Sequence, residues 1–177
     1  GAYEKLLKAG KIRAIGASNL NAGQLQASLT VADEKGLPRY QVLQPEYNLY
    51  DRESFEGALQ DLTVRENIGV VTYYSLASGF LSGKYRSEKD LSQSQRGQGV
   101  GKYLNDRGFR ILDALDEVAA AHDVKPAEVA LAWLIAQPGV TAPIASATKI
   151  PQVDSFVTAL SLTLSADEIA ALNHAGK

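Results

Sequence analysis

Cysteine is absent from the 177 residues, which excludes disulfides, thiolate chemistry and Cys-ligated metal sites. Histidine is nearly absent: His122 and His174 are the only two. Each falls near the C-terminal end of a helical pattern, where partial positive charge is favourable, so a His-based metal site is not expected. No excess of one charge exists either. Eighteen Lys and Arg stand against 20 Asp and Glu, a formal net charge of -2, and neither nucleic acid nor an anionic membrane surface is expected as a partner. No apolar run is long enough to span a bilayer. Gly1-Ala2-Tyr3-Glu4 lacks the basic and apolar regions of a signal peptide, so the expected location is cytoplasmic. What remains is the composition of an ordinary globular domain, 45% hydrophobic and 21% charged, with length enough for one well-packed unit.

Strand and helix patterns alternate along that unit. Residues 2–9 read as a helix stopped by Gly10, and 12–17 as a short strand ending at Ser18-Asn19. Asn21 and Gln24 make a capping-box pattern for a helix that buries Leu25, Leu29 and Ala32 and ends at Gly36. Residues 40–44 form the second expected strand. Phe55, Ala58, Leu59 and Leu62 mark one apolar helix face, and 69–73 is a third strand of the buried parallel type. The segment from Leu76 to about Arg107 breaks the rhythm. It is polar, rich in Gly, Ser and Gln, and much longer than a usual βα loop, a length that goes with function or disorder. Helices follow over about 107–121 and from Pro126, a good first-turn residue, to Pro138-Gly139. Residues 140–145 are the fourth strand. A helix with Val153, Phe156, Val157 and Leu160 on one face comes next, and a last one opens on the capping box Ser165 to Glu168.

Four strands, each followed by a helix, imply an α/β fold of parallel βα units with right-handed crossovers. Two architectures remain: a small open α/β sheet, or half of a (β/α)8 barrel, which needs eight strands and roughly 250 residues. The first strand carries no Gly-x-Gly-x-x-Gly turn, which argues against a Rossmann domain. In βα folds ligands bind at the C-terminal strand ends. Those ends read Ser18-Asn19, Gln44 to Asn48, Tyr73 to Gly79, and Ser146 to Lys149. Amides suit a carboxamide or a base edge; small residues opening a helix suit a phosphate; Lys149 suits an additional phosphate as a point charge.

The stretches Ile15 to Asn19, Gln44 to Asn48, Ser75 to Tyr85 and Ala145 to Lys149 resemble, in order and spacing, the successive strand-end motifs of aldo/keto reductases. The resemblance covers the fifth to eighth strands of that family's TIM barrel. It implies the C-terminal half-barrel, residues 1–177 as one NADP-binding unit, with a cofactor-covering loop over about 76–107. It implies NADP(H) as cofactor and a small-molecule aldehyde or ketone as substrate. Ser18, Asn19 and Gln44 would hydrogen-bond the nicotinamide carboxamide, and Tyr73 would stack on its ring. Ser75, Leu76, Ala77 and Gly79, with Ser82 and Lys84, would wrap the pyrophosphate. Ser146, Thr148 and Lys149 would meet the adenosine 2'-phosphate, and Gln152 the adenine end. Tyr74-Ser75 stands where many members have Ser-Pro, and Ser155-Phe156 where members often have an acidic residue and Asn.

The family's catalytic Tyr, Lys, Asp and His belong to its first four strands, so the resemblance implies no catalytic residue among these 177 and an inactive isolated chain. The chain is expected to be a fragment of a longer protein. The missing half-barrel, or a second half, would cover the inner side of Val42, Val70 and Ile144 and the two open strand edges. The alternative function is a non-catalytic NADPH-binding regulatory subunit like those of ion channels.

Overall fold

The computed structural model describes residues 1–94 and 97–177; Gln95 and Arg96, inside the expected long loop, lie outside the described residues. The elements run α1 (Ala2–Lys8), β1 (Gly16–Ser18), α2 (Ala22–Lys35), β2 (Val42–Gln44), α3 (Ala58–Arg65), β3 (Gly69–Thr72), α4 (Asp106–His122), α5 (Pro126–Ile135), β4 (Val140–Pro143), α6 (Ile150–Ser161) and α7 (Ala166–Ala175). The strands pair in the order β1-β2-β3-β4, all parallel. No helix among the described residues is long and apolar enough to cross a membrane, and no group of three or more His, Cys, Asp or Glu among them is placed to hold a metal.

Local signals position the helices. Asn21 accepts from the Gln24 amide N–H, and Gln24 accepts from that of Asn21, so two orphan donors at the start of α2 are satisfied. Gly36 ends the helix at φ 60, a left-handed conformation in which glycine has no Cβ penalty. Ser165 and Glu168 make the same reciprocal cap on α7. Glu168 also meets His122 at the end of α4, 2.7 Å away. α5 is buried from Glu128 to Trp133 and on to Leu134, as a helix apolar on every side must be, and it packs among α4, α6 and β4.

The strands are shorter than expected at both edges. Residues 12–15 are irregular because β1 meets β2 only from Gly16, paired with Val42; a strand edge exists only where a partner ladder does. Likewise β4 ends at Pro143, on a sheet edge where proline is tolerated, with one further bond to β3 from the Ile144 N–H to the Thr72 carbonyl at 2.8 Å. The expected inward side of Val70 is corrected. Register aligns Ala17, Leu43, Val70 and Val140, and Leu43 and Val70 are fully buried under the helix layer. Val42 is half-buried on the opposite side and Ile144 is exposed.

The described part of 76–107 contains no α-helix or strand before Asp106, but its apolar residues are not solvent-facing. Ala77–Ser82, Glu88–Gln93, Gly97–Gly99 and Gly101–Tyr103 are 3-10 segments. Phe80, Leu81, Tyr85, Val100 and Tyr103 from this stretch are buried in the core, with Phe80 stacked on Tyr103 at 5.2 Å. Hydrophobic residues spaced irregularly along 3-10 turns match neither helical nor strand period.

Trp133 is the largest fully buried side chain. It lies 5.4 Å from the Tyr47 ring and donates through Nε1 to Asn173 Oδ1. Trp133→Ala is expected to lower stability by about 3–5 kcal/mol, read as a fall in the urea midpoint; an unchanged midpoint would show that this core does not hold the fold.

The Ser165 backbone and hydroxyl, then His122, hold the Glu168 carboxyl below the usual carboxylate range. A pKa lowered in the folded state stabilises above the unfolded value, and that stability is lost as pH falls through the folded one. Wild type should therefore exceed Glu168→Gln in stability at neutral pH, with the gap closing through the acidic carboxylate range. A gap constant with pH contradicts the assignment.

Candidate functional site

Alternation along the strands sorts their side chains. With Leu43 and Val70 committed to the helix layer, Gln44 and Ser18, one residue on, belong to the other face. Ser18 and Gln44 are register partners, and Ser18 Oγ donates to the Gln44 carbonyl at 2.9 Å. The Asn19 N–H donates to the same carbonyl at 3.2 Å. Asn19 sits at φ 56, a left-handed conformation that asparagine tolerates better than most residues.

Tyr73 follows β3 and bridges to Glu46, its N–H donating to the Pro45 carbonyl at 3.0 Å. Its hydroxyl donates to Asn19 Oδ1 at 2.9 Å. Ser18, Asn19, Gln44 and Tyr73 thus meet at the C-terminal ends of β1, β2 and β3. Burial, then the Glu46 charge, push the Tyr73 hydroxyl above its ordinary pKa.

The turn after β3 has an unusual backbone. Tyr74, Ala77 and Ser78 all have positive φ, and so does Gly79, at 96. The non-glycine residues among them cost about 1–3 kcal/mol each and gather at binding turns, and the turn is closed by its own backbone, Ala77 and Gly79 donating their N–H groups to the carbonyls of Tyr74 and Leu76 at 2.7 and 2.8 Å. Space does not require a glycine at position 79, where a Cβ would meet Lys84 Nζ only at an ordinary 3.7 Å; its φ of 96 does. Lys84 is exposed, its ammonium 4.8 Å over the Tyr85 ring. Ser82 Oγ donates to the Gly79 carbonyl. Leu76 is half-buried and Ala77 fully buried. Ser75 differs from the rest. Its side chain is buried, donates to the Thr72 carbonyl at 3.1 Å and lies 3.2 Å from Thr72 Oγ1, so its hydroxyl braces the turn from below.

Ser146, Thr148 and Lys149 lie exposed between β4 and α6, and Gln152 is exposed in the first turn of α6. Gln152 Oε1 accepts from the N–H groups of Thr148 and Lys149, at 2.7 and 3.1 Å. Its side chain therefore caps α6, satisfying donors that a helix start otherwise leaves open.

The sequence reading missed a second polar group, beside the strand-end cluster at Tyr73. A cavity of about 530 Å³ is lined by residues that include Glu46, Asp51, Lys102 and Arg107. Burial, then the Asp51 charge, raise the Glu46 carboxyl above the usual range. Asn48, fully buried, accepts from the N–H groups of Tyr50 and Asp51 at 2.8 Å and donates to the Tyr74 carbonyl at 3.1 Å. Tyr103 donates to Asp51 Oδ2 at 2.7 Å. Arg107 donates to the carbonyls of Tyr50 and Gly176. Together these tie the far end of the 3-10 stretch to the β2–α3 connection. The signal was present in the polar run Glu46 to Asp51, but its partners come from residues 103–107, remote in sequence.

The whole chain, residues 1–177, matches the family model described as aldo/keto reductase family. Among similar proteins, Protein tas of Escherichia coli (strain K12) is 32% identical over 92% of this chain and 47% of its own length. Aldo-keto reductase yakc [NADP(+)] of Schizosaccharomyces pombe (strain 972 / ATCC 24843) is 28% identical over 93% of this chain and 48% of its own. The probable voltage-gated potassium channel subunit beta of Oryza sativa subsp. japonica is 32% identical over 82% of this chain and 46% of its own. The chain thus spans about half the length of the curated relatives it matches. With four parallel βα units and polar strand ends in the expected order, the chain belongs to the aldo/keto reductase family, and its sheet is part of that family's (β/α)8 barrel.

Proposed function

We propose that these residues hold NADP(H) in an oxidoreductase that reduces small aldehydes or ketones to alcohols. The observation that carries the reading is the hydrogen-bonded cluster of Ser18, Asn19, Gln44 and Tyr73 at three neighbouring strand ends. Its donor set fits a carboxamide. Two side-chain amides offer both donors and acceptors, and the Tyr73 ring offers a flat apolar face. The left-handed turn from Leu76 to Gly79, with Ser82 and Lys84, fits a pyrophosphate. Ser75 would act there through the backbone, since its hydroxyl is turned inward. Ser146, Thr148 and Lys149 fit a 2'-phosphate, joined by the N-terminal dipole of α6. Gln152, which caps that helix, would serve this phosphate end rather than the adenine.

NADPH would supply the hydride. The residues described here would bind, orient and cover it, and none is assigned as the proton donor to the carbonyl. The isolated 177-residue chain is accordingly proposed to bind the cofactor without turning over, in the cytoplasm. The rest of the barrel, or a second half-barrel, would lie against the open sheet edges. Ile150, Val153, Val157 and Leu160 of α6 support this as an unpartnered apolar stripe, Ile150 being 79% exposed. A second reading, a non-catalytic NADPH-binding regulatory subunit, is favoured by the similarity to a probable potassium channel subunit beta.

Calorimetric titration with NADPH and NADH tests the cofactor assignment. Losing one charge-assisted contact costs about 1.5–3 kcal/mol. Lys149→Met should therefore weaken NADPH binding by about ten- to a hundredfold and leave NADH almost unaffected. Equal effects on the two, or no NADPH binding by wild type, would refute it. Ser75→Ala should lower stability by about 1 kcal/mol, the net worth of an internal hydrogen bond, with NADPH affinity unchanged. A loss of affinity without loss of stability would move that hydroxyl back to the pyrophosphate.

A further inference from the structure

Helices favour Ser, Thr, Asp or Asn at the N-cap, and a cation there opposes the positive end of the helix dipole. Two neighbouring helices break both rules. Lys125 is the N-cap of α5 and Lys149 that of α6, and neither side chain makes a capping hydrogen bond, since lysine has no acceptor to offer. The caps come from the third helical residue instead. Glu128 accepts from the Lys125 N–H at 2.8 Å, and Gln152 from that of Lys149 at 3.1 Å. Both lysine side chains are therefore free of any capping duty. A local rule broken in this way is expected at functional positions.

The side chain of Lys125 is nonetheless placed. Its Nζ donates to Ser155 Oγ at 3.3 Å. Ser155, only 9% exposed, gives its own proton to the Pro151 carbonyl at 3.2 Å. The serine oxygen is thus committed as an acceptor and holds the ammonium across from α5 to α6. Pro151 belongs to the first turn of α6, and side chains on a helix lean toward its N-terminus. The ammonium therefore lies about one turn from the end that Lys149 caps. The start of α5 also faces the turn after β3: a Cβ on Gly83 would sit 3.3 Å from Pro126 Cγ. Glu128 Oε1, 3.6 Å away, offsets part of the Lys125 charge, and no described carboxylate pairs with Lys149. With its side chain 65% exposed and three donors on the ammonium, Lys125 can bind further.

We propose that Lys125 is a specificity-determining residue: held across the α5–α6 seam by Ser155, its ammonium joins Lys149 on the 2'-phosphate and sets the preference for NADPH over NADH. A phosphate monoester carries about -1.5 to -2 at neutral pH, more than one lysine compensates. The assignment rests on the NADP(H) reading of the site.

Calorimetric titration of the 177-residue protein with NADPH and NADH decides it. Lys125→Met should weaken NADPH about fivefold, the upper worth of an exposed ion pair, and leave NADH unaffected. Because Glu128 caps α5 through the Lys125 backbone N–H, the variant should keep the wild-type thermal midpoint. Lys125→Arg, which keeps the charge, should restore NADPH affinity. Salt should weaken NADPH binding more steeply in wild type than in Lys125→Met. Equal weakening of NADPH and NADH would assign Lys125 to the pyrophosphate and overturn the proposal. If wild type shows no preference for NADPH, the 2'-phosphate reading fails and this assignment with it. A wild-type preference that survives Lys125→Met undiminished defeats this assignment alone.

Discussion

Leu43 and Val70 lie side by side in the register of adjacent parallel strands, fully buried against the helix layer. Because strand side chains alternate, that pair of contacts decides where every neighbour points. Ser18 and Gln44 are sent to the opposite face, and the strand ends deliver Asn19 and Tyr73 beside them. A slip of one residue would bury Gln44 and expose Leu43, so the site and the core are specified by the same register. The strain at the strand ends is supported from the same direction. Asn48, buried beneath, fixes the β2–α3 connection and holds the Tyr74 carbonyl, and Ser75 braces the turn on Thr72.

Much of this was legible in the residues. The caps at Asn21 and Ser165, the stop at Gly36 and the start at Pro126 are local signals, and local signals survive folding. The four strands were found in order because buried parallel strands read as compact apolar runs. Their ends were not, since Ile12 to Ala14 has strand composition but no partner ladder. The buried side of the stretch after Leu76 was not legible for a related reason. Phe80, Leu81, Tyr85, Val100 and Tyr103 have no common period, and only the folded core shows that they share one side.

The site divides in the same way. Ser18, Asn19, Gln44 and Tyr73 were selected as strand-end residues, and they meet in space. Ser75 looked equivalent to its neighbours in sequence, yet its hydroxyl turns inward. Glu46, Asp51, Tyr103 and Arg107 went unassigned because a hydrogen-bond network between residues more than fifty positions apart leaves no spacing pattern to read.

The central claim is that the Ser18–Asn19–Gln44–Tyr73 cluster is the nicotinamide end of an NADP(H) site. A crystal structure of the protein soaked with NADP+ tests it most directly. The account predicts the nicotinamide ring over Tyr73, its carboxamide against Ser18, Asn19 and Gln44, and the 2'-phosphate beside Lys149. A cofactor bound with its nicotinamide away from these strand ends would contradict it.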